Sequence, residues 1–77
     1  MSQQIVDRVV SMAEEVFQRT VTPADSFFDL GGDSLMALEL CLQIENWVGQ
    51  PVDMGELVGA GSLEEFAASV SALLGAE

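Results

Sequence analysis

The 77-residue sequence contains no histidine, lysine or tyrosine, and it has a single cysteine, Cys41. A serine nucleophile needs a base to take its proton, so the composition excludes the common forms of nucleophilic catalysis. A lone cysteine excludes an internal disulfide, and no cysteine–histidine cluster has the spacing of a zinc site. We therefore expect a protein that is not an enzyme, with Cys41 packed in the core rather than reactive.

Positive charge is also scarce. Arg8 and Arg19 stand against thirteen acidic residues, which gives a formal net charge of -11. Nucleic-acid phosphates and anionic membranes would repel such a surface, so neither is an expected partner. The acidity either keeps a small protein soluble or docks it on basic patches of other proteins, and charge alone does not choose between the two. Because a secretory leader and a bilayer-spanning apolar run are both absent from the sequence, we expect a soluble, cytoplasmic protein. We also expect it to be a monomer.

The hydrophobic pattern predicts an all-α fold: a small bundle of three main helices plus one short helix, in one domain of residues 1–77. The first helix runs from residue 3 to about 18, with Ser2 as its N-cap and Arg19 close to its negative end. Strand-like alternation of useful length is absent from the sequence. We therefore predict the secondary structure from helical spacing of apolar residues and from capping residues.

A long loop, residues 20–33, joins the first two helices because proline, glycine and short polar residues break the helical period there. So long a connection would not hang free in a small domain. We expect Phe27, Phe28 and Leu30 to hold it on the core.

Capping residues mark the second helix, which runs from about Ser34 to Val48. Asp33 is placed to cap its start, and Gly49-Gln50-Pro51 ends it.

The last part of the chain contains two further helical segments. Residues 52–58 are expected to form one short turn, in which Asp53 and Glu56 resemble a capping box. The last helix begins at the S-x-x-E box of residues 62–65 and is closed by Gly75.

The second helix carries two apolar stripes. The core stripe consists of Ala37, Leu40, Cys41, Ile44 and Val48. The outer stripe consists of Leu35, Leu38 and Leu42, and lies more than a third of a turn away at 100° per residue. Either the helix is buried on both sides, or the outer stripe meets partner proteins. Its origin beside Ser34 favours the second interpretation.

Ser34 lies in the run Leu30-Gly31-Gly32-Asp33-Ser34-Leu35, a glycine-containing loop that turns into a helix. Its hydroxyl is displayed on the first helical turn, yet the chain offers no base to activate it. We therefore interpret Ser34 as a serine that another protein modifies. The nearby acids lack the alternating oxygens and terminal glutamate of a calcium loop, so no metal site is predicted.

The segment Phe28-Asp29-Leu30-Gly31-Gly32-Asp33-Ser34-Leu35 resembles the attachment motif of carrier proteins, the thiolation domains of nonribosomal peptide and polyketide assembly. The resemblance covers most of the chain, including the order of its helices. It implies that a phosphopantetheinyl transferase installs 4'-phosphopantetheine on Ser34 from coenzyme A. The thiol of this arm would then hold acyl, aminoacyl or peptidyl groups as thioesters. By position, the resemblance implies that Asp33 helps the transferase engage. Gly31 and Gly32 are expected to let the backbone turn sharply and to leave room for the transferase to approach.

The resemblance also implies further partners: an acyl- or aminoacyl-activating (adenylating) enzyme, and condensing or tailoring enzymes downstream. A partner attending to Ser34 would rest on the outer stripe and its acidic border. The expected partner-recognition residues are Leu35, Met36, Leu38, Glu39, Leu42 and Glu45.

Details of the motif indicate the subtype. The Gly31-Gly32 pair is more similar to peptidyl carriers, and Met36 stands where fatty-acid carriers usually have an acid. The acidity and length resemble discrete carriers, so we expect a stand-alone peptidyl-type carrier, and a domain excised from a larger module is the alternative. Family members often have an aromatic residue and a proline before the last helix, whereas this chain has Val58-Gly59-Ala60-Gly61. The alternative, an acidic helical adaptor without a covalent cofactor, leaves the Gly-Gly-Asp-Ser run unexplained.

Overall fold

A computed structural model describes residues 2–75. Within this range the chain forms helices and loops but no strand, and the helices are α1 (Ser2–Phe17), α2 (Ser34–Val48), α3 (Met54–Gly59) and α4 (Leu63–Leu74). The prediction of three main helices, one short helix and a long first connection is confirmed. Boundaries differ from the predicted ones by one or two residues, as frayed helix ends usually do. None of these helices is long and apolar enough to cross a bilayer.

The ends of α2 follow the predicted capping pattern. Asp33 has an extended backbone, and its Oδ1 accepts a hydrogen bond from the Met36 amide at 2.9 Å. Gly49 ends the helix in the left-handed conformation, with φ of 76°. Gly75 ends α4 in the same way, with φ of 71°. Glycine accepts this conformation without the steric cost of a Cβ atom.

The predicted N-cap role of Ser2 concerns a side chain that lies outside the described part of the structure. The helix begins at Ser2 itself, and the residue before it lies outside the described part of the chain. Arg19 follows the last residue of α1 by two positions, so it is close to the negative helix end but not in its last turn.

The start of α4 contains a variant of the predicted capping box. The Ser62 hydroxyl accepts from the Glu65 amide at 3.2 Å, as predicted. The Glu65 carboxylate, however, accepts from the Gly61 amide at 3.1 Å rather than from the amide of the cap residue. The box therefore reaches one residue further back. In α3, the Asp53 side chain caps the Gly55 amide at 2.8 Å.

The long loop is fastened to the start of α4. The first N–H groups of a helix have no partner inside it and need acceptors from elsewhere. The Leu63 amide donates to the Asp25 carbonyl at 2.8 Å, and the Glu64 amide donates to the Pro23 carbonyl at 3.0 Å. These bonds hold the middle of the loop in place, and they give the first amides of α4 their acceptors.

The core lies between α1, α2 and α4, and α3 closes one end through Leu57. No polar or charged side chain of the described residues is buried. The largest fully buried side chains are Phe27, Phe66, Leu40, Ile44, Leu57, Leu63, Val9 and Val70. Burial of apolar side chains is the main term that stabilises so small a domain.

The prediction that three apolar residues hold the long loop on the core is right for two of them. Phe27 and Leu30 are buried, but Phe28 is 69% exposed, so its predicted core role is wrong. Residues 26–30 form one helical turn, in which the Leu30 amide donates to the Ser26 carbonyl at 3.1 Å. Phe27 and Leu30 are three positions apart and therefore lie on the same face of this turn, whereas Phe28 lies on a different face.

Cys41 is a core residue, as predicted, and is 3% exposed. Burial raises the pKa of its thiol to about 11, and the carboxylates of Glu45 and Asp53 add to the rise. Because the thiolate is the reactive form, Cys41 is unreactive near neutral pH.

The two arginines are not used in ion pairs within residues 2–75. The Arg8 guanidinium lies 5.2 Å from the centre of the half-buried Trp47 ring, in a cation–π contact. The thirteen acidic residues are therefore largely uncompensated.

We expect this repulsion to make stability depend on salt. Raising the ionic strength from a low value should raise the melting temperature, because salt screens repulsion between exposed charges. Each kcal/mol of repulsion relieved corresponds to about 4–8 °C in a domain of this size. Thermal melts across a sodium chloride series measure the effect, and Asp7→Asn, with one charge fewer, should respond less. A flat or falling midpoint in the wild type would contradict the expectation.

Candidate functional site

The turn of residues 26–30 ends in a Schellman motif made by the two glycines. The Gly31 amide donates to the Phe28 carbonyl at 2.9 Å, and the Gly32 amide donates to the Phe27 carbonyl at 3.1 Å. Gly31 has φ of 80°, which the motif requires and which other residues adopt only with strain. The Ser26 hydroxyl caps the other end of the turn by accepting from the Asp29 amide at 3.0 Å. The segment before Ser34 is thus a hydrogen-bonded turn rather than an open loop.

Gly32 is required by close packing rather than by its backbone angles. A Cβ atom at this position would overlap the Phe27 ring and lie only 2.8 Å from its Cδ2 atom. The ring is 2% exposed and meets Phe17 edge-to-face, with ring centres 5.5 Å apart. The Phe27 ring therefore has little room to move away. The contact between this ring and Gly32 sets where the chain enters α2.

Ser34 is the first residue of α2, and its side chain is exposed. Its hydroxyl makes no hydrogen bond to the described residues. The adjacent Asp33 carboxylate is engaged as the helix cap through its Oδ1 atom. The structure therefore presents an unengaged hydroxyl on a rigid corner. In residues 2–75, acidic and cysteine side chains do not gather in the groups of three or more that could hold a metal ion.

An apolar groove lies beside Ser34, between the turn of residues 26–30, the start of α2 and α3. Its volume is about 370 Å³. We call it the Ser34 groove, and its side-chain lining includes Phe27, Phe28, Asp33, Ser34, Ala37, Met54 and Val58. The sequence did not indicate this groove, because it depends on how α3 lies against α2.

The two stripes of α2 lie as predicted. In the core stripe Ala37, Leu40, Cys41 and Ile44 are buried, and Val48 is half-buried. In the outer stripe Leu35 is 68% exposed, Leu38 is 50% exposed and Leu42 is 52% exposed. The helix is therefore not buried on both sides.

The other predicted recognition residues differ in their surroundings. Glu39 is exposed on α2. Met36 is half-buried and packs against the core. Glu45 is half-buried, and its Oε2 atom accepts from the Val52 amide at 2.9 Å, so it also fastens the connection to α3. A role in recognition stays a prediction for all three.

Glu14 has a structural role that sequence reasoning missed. Its Oε2 atom accepts from the Val21 amide at 3.0 Å, and thereby fastens the start of the long loop to α1. Glu45 does the same for the next connection, and in both cases the carboxylate precedes the amide by seven residues. An acid near a helix end is too common a pattern to predict such a bond.

Comparison with known families matches residues 7–70 to a profile described as the phosphopantetheine attachment site. The match covers most of the chain, including the Schellman turn and Ser34. This chain belongs to the phosphopantetheine-attachment family. Domains of this family are carriers and are generally non-catalytic.

Two curated relatives are large subunits of L-2-aminoadipate reductase. The protein of Candida glabrata is 33% identical over 54 residues, which is 70% of this chain. The protein of Penicillium chrysogenum is 33% identical over 63 residues, which is 80% of this chain. This chain spans about 4% of the length of either reductase subunit.

A solved structure shares the fold. BlmI, a type-II acyl carrier protein from Streptomyces verticillus involved in bleomycin biosynthesis, superposes with a TM-score of 0.88. The alignment covers 95% of this chain and 89% of BlmI, at 22% sequence identity. The all-helical carrier-protein fold expected from the sequence is thereby confirmed.

We expect Gly32→Ala to destabilise the protein, because its methyl group would overlap the Phe27 ring in a packed core. Overpacking of this kind costs about 1–3 kcal/mol. Gly59→Ala, in α3, is the matched control, since a Cβ atom there meets open space. It should be neutral or stabilise by up to about 1 kcal/mol. Urea unfolding of both variants measures the difference, and equal free energies of unfolding would refute the packing role of Gly32.

Proposed function

We propose that Ser34 is the attachment site of 4'-phosphopantetheine, and that the chain carries acyl, aminoacyl or peptidyl groups as thioesters between partner enzymes. The observation that carries this proposal is the unengaged, exposed hydroxyl of Ser34 at the start of α2, in a chain of the phosphopantetheine-attachment family. When attached, the group supplies a thiol on a flexible tether, where thioesters form. The chain itself has to hold this tether and to be recognised by partner enzymes.

The start of α2 suits a phosphodiester. The amides of Ser34 and Leu35 have no partner within the described residues, and the helix dipole favours negative charge at this end. The carboxylates of Asp29 and Asp33 oppose the phosphate, but both residues are exposed. Solvent and salt screen repulsion between exposed charges, so this opposition is modest.

The surroundings of Ser34 support a carrier rather than a catalyst. The nearest carboxylate along the chain, Asp33, is occupied as the helix cap, and the sequence has no histidine or lysine. A hydroxyl without a general base is a poor nucleophile. Modification of Ser34 therefore needs a separate phosphopantetheinyl transferase, and loading needs an acyl- or aminoacyl-activating (adenylating) enzyme.

We infer that the chain works in nonribosomal peptide or polyketide-type biosynthesis, with condensing or tailoring enzymes downstream. The fold shared with a carrier of bleomycin biosynthesis supports this setting. The Gly31-Gly32 pair supports the peptidyl subtype, and the net charge of -11 supports a monomer, because copies of the chain repel one another.

Intact-mass spectrometry after incubation with coenzyme A and a broad-specificity phosphopantetheinyl transferase tests the attachment site. The wild type should gain one phosphopantetheine, whereas Ser34→Ala should keep its helicity and gain none. Ser26 and Ser62 are the built-in controls, because their hydroxyls already cap helical turns. Modification of either serine in the Ser34→Ala protein would falsify the assignment, and an unmodified wild type would favour the acidic adaptor.

The outer stripe is the surface that we propose for recognition by partner enzymes. Its three leucines are at least half exposed, and they begin directly after Ser34. The exposed Glu39 adds negative charge at the border, which suits a basic partner. Rim charges of this kind act chiefly on the rate of encounter.

We expect Leu38→Ala to cost about 1 kcal/mol or less, because Leu38 is 50% exposed. Ile44→Ala should cost about 2–5 kcal/mol, because Ile44 is fully buried and its truncation leaves a cavity. Leu38→Ala should nevertheless slow loading by the cognate enzyme. Urea unfolding and single-turnover loading of both variants decide the point, and equal unfolding costs together with normal loading by Leu38→Ala would place recognition elsewhere.

Glu39→Lys should slow association with the loading enzyme, and more so at low salt, because charge steering is screened as ionic strength rises. The matched control is Asp7→Lys, which makes the same change of charge at an exposed position of α1. Loading rates across a salt series separate the two variants. If both slow loading equally, net charge rather than a local docking surface governs the encounter.

A further inference from the structure

A second groove lies between α1 and α2, away from the start of α2. Its volume is about 430 Å³, and it is lined by Arg8, Ser11, Met12, Glu15, Gln43 and Asn46. We call it the Arg8 groove. Gln43 is nine residues beyond Ser34, which places it about 13 Å further along the helix at 1.5 Å per residue. Neither attachment at Ser34 nor recognition through the outer stripe uses these lining residues.

Arg8 is positioned in this groove without the use of its hydrogen-bond donors. Its guanidinium lies 5.2 Å from the centre of the Trp47 ring, in a cation–π contact that engages its charge. Its N–H groups make no hydrogen bond within residues 2–75, and it forms no ion pair there. A planar guanidinium can donate a pair of parallel hydrogen bonds to one carboxylate. Arg8 thus offers a carboxylate site on a chain that is otherwise acidic.

Polar side chains without hydrogen-bond partners surround this cation. The carboxamides of Gln43 and Asn46 and the hydroxyl of Ser11 line the groove and make no hydrogen bond within residues 2–75. A carboxamide carries both donors and an acceptor, so it can pair with the N–H and the C=O of a peptide backbone. An occupant with a peptide backbone therefore finds partners here that the apolar lining of the Ser34 groove lacks.

We propose that the Arg8 groove binds an extended segment of a partner protein that carries an aspartate or a glutamate. The carboxylate of this residue pairs with the Arg8 guanidinium, and the neighbouring peptide groups of the segment bond to Gln43 and Asn46. The inference goes beyond the proposed function and does not depend on attachment at Ser34. A partner held at this groove would leave the start of α2 open to a second enzyme.

The net charge of -11 is compatible with such a partner. At physiological ionic strength, interactions between exposed charges are screened over about 8 Å, so the carboxylate responds mainly to the groups of the groove itself. Glu15 is the one acidic side chain among the lining residues, and it limits the affinity. A partner that is basic elsewhere is attracted by the chain as a whole, and its acidic residue would fix its register against Arg8.

The experiment titrates the protein with the capped tripeptide N-acetyl-Gly-Asp-Gly-amide at constant, physiological ionic strength. Trp47 is the single tryptophan of the chain, so its fluorescence reports on the Arg8 groove. We expect a saturable change in this fluorescence. In NMR spectra the side-chain amide signals of Gln43 and Asn46 should shift with the same midpoint, whereas the backbone amides of Leu35 and Leu38 should not.

Arg8→Gln should weaken binding of the tripeptide about fivefold, the upper end for an exposed ion pair. Arg19→Gln is the matched control, because it removes the same charge at an exposed position outside the groove. The two variants have equal net charge, so a difference between them isolates the groove. Asn46→Ala should also weaken binding about fivefold, through a lost hydrogen bond. Circular dichroism verifies that all three variants keep their helicity.

Four results would overturn the proposal. The tripeptide could show no saturable binding, or Arg8→Gln and Arg19→Gln could bind it equally, in which case net charge governs the response. Sodium acetate could bind as tightly as the tripeptide, which would leave a site for small anions only. Shifts at Leu35 and Leu38 in place of Gln43 and Asn46 would place the peptide on the outer stripe. None of these results affects the mass gain at Ser34, so the two proposals fail separately.

Discussion

The contact between the Phe27 ring and the backbone of Gly32 determines where Ser34 lies. The ring is buried and edge-on to Phe17, so it is fixed to the core at the end of α1. Gly32 meets the ring with no side chain between them, and the Schellman motif brings the chain to that point. Asp33 then caps α2, and Ser34 follows as its first residue. The tether that we propose at Ser34 needs a rigid base, and this short series of contacts supplies one.

The connections between the helices are held by unpaired amides at helix starts and by side chains on the helices. Amides at the start of α4 bond to loop carbonyls, and carboxylates on α1 and α2 bond to loop amides. Near the other end of the bundle, the Gln50 side chain donates to the Leu73 carbonyl at 2.7 Å. A domain of this size has too small a core to order its connections by burial alone. A single cysteine cannot form an internal disulfide, and the described residues contain no group that could hold a metal ion. Hydrogen bonds between loops and helices therefore order the connections.

The sequence predicted what depends on local chemistry. Helical period placed the helices, and the caps Asp33, Asp53 and Ser62 follow from side chains that compete for helix-start amides. Phe28 was misplaced because composition marks residues 20–33 as a loop and hides the single helical turn within it. The Ser34 groove was missed because it forms only where α3 packs beside α2. Such features depend on contacts between residues distant in sequence, which no local pattern encodes.

Two apolar surfaces, the outer stripe of α2 and the Ser34 groove, lie beside Ser34. The acidity of the chain affects what can approach either surface. Exposed leucines along a helix normally invite self-association, and an open apolar groove does so too. A net charge of -11 opposes the approach of another copy, while it favours the approach of a basic partner. The same charge destabilises the compact state, and the arginines form no ion pairs in the described range that would offset it. If the chain binds basic partners as we propose, it discriminates between them and its own copies at a cost in stability, which the apolar core must offset.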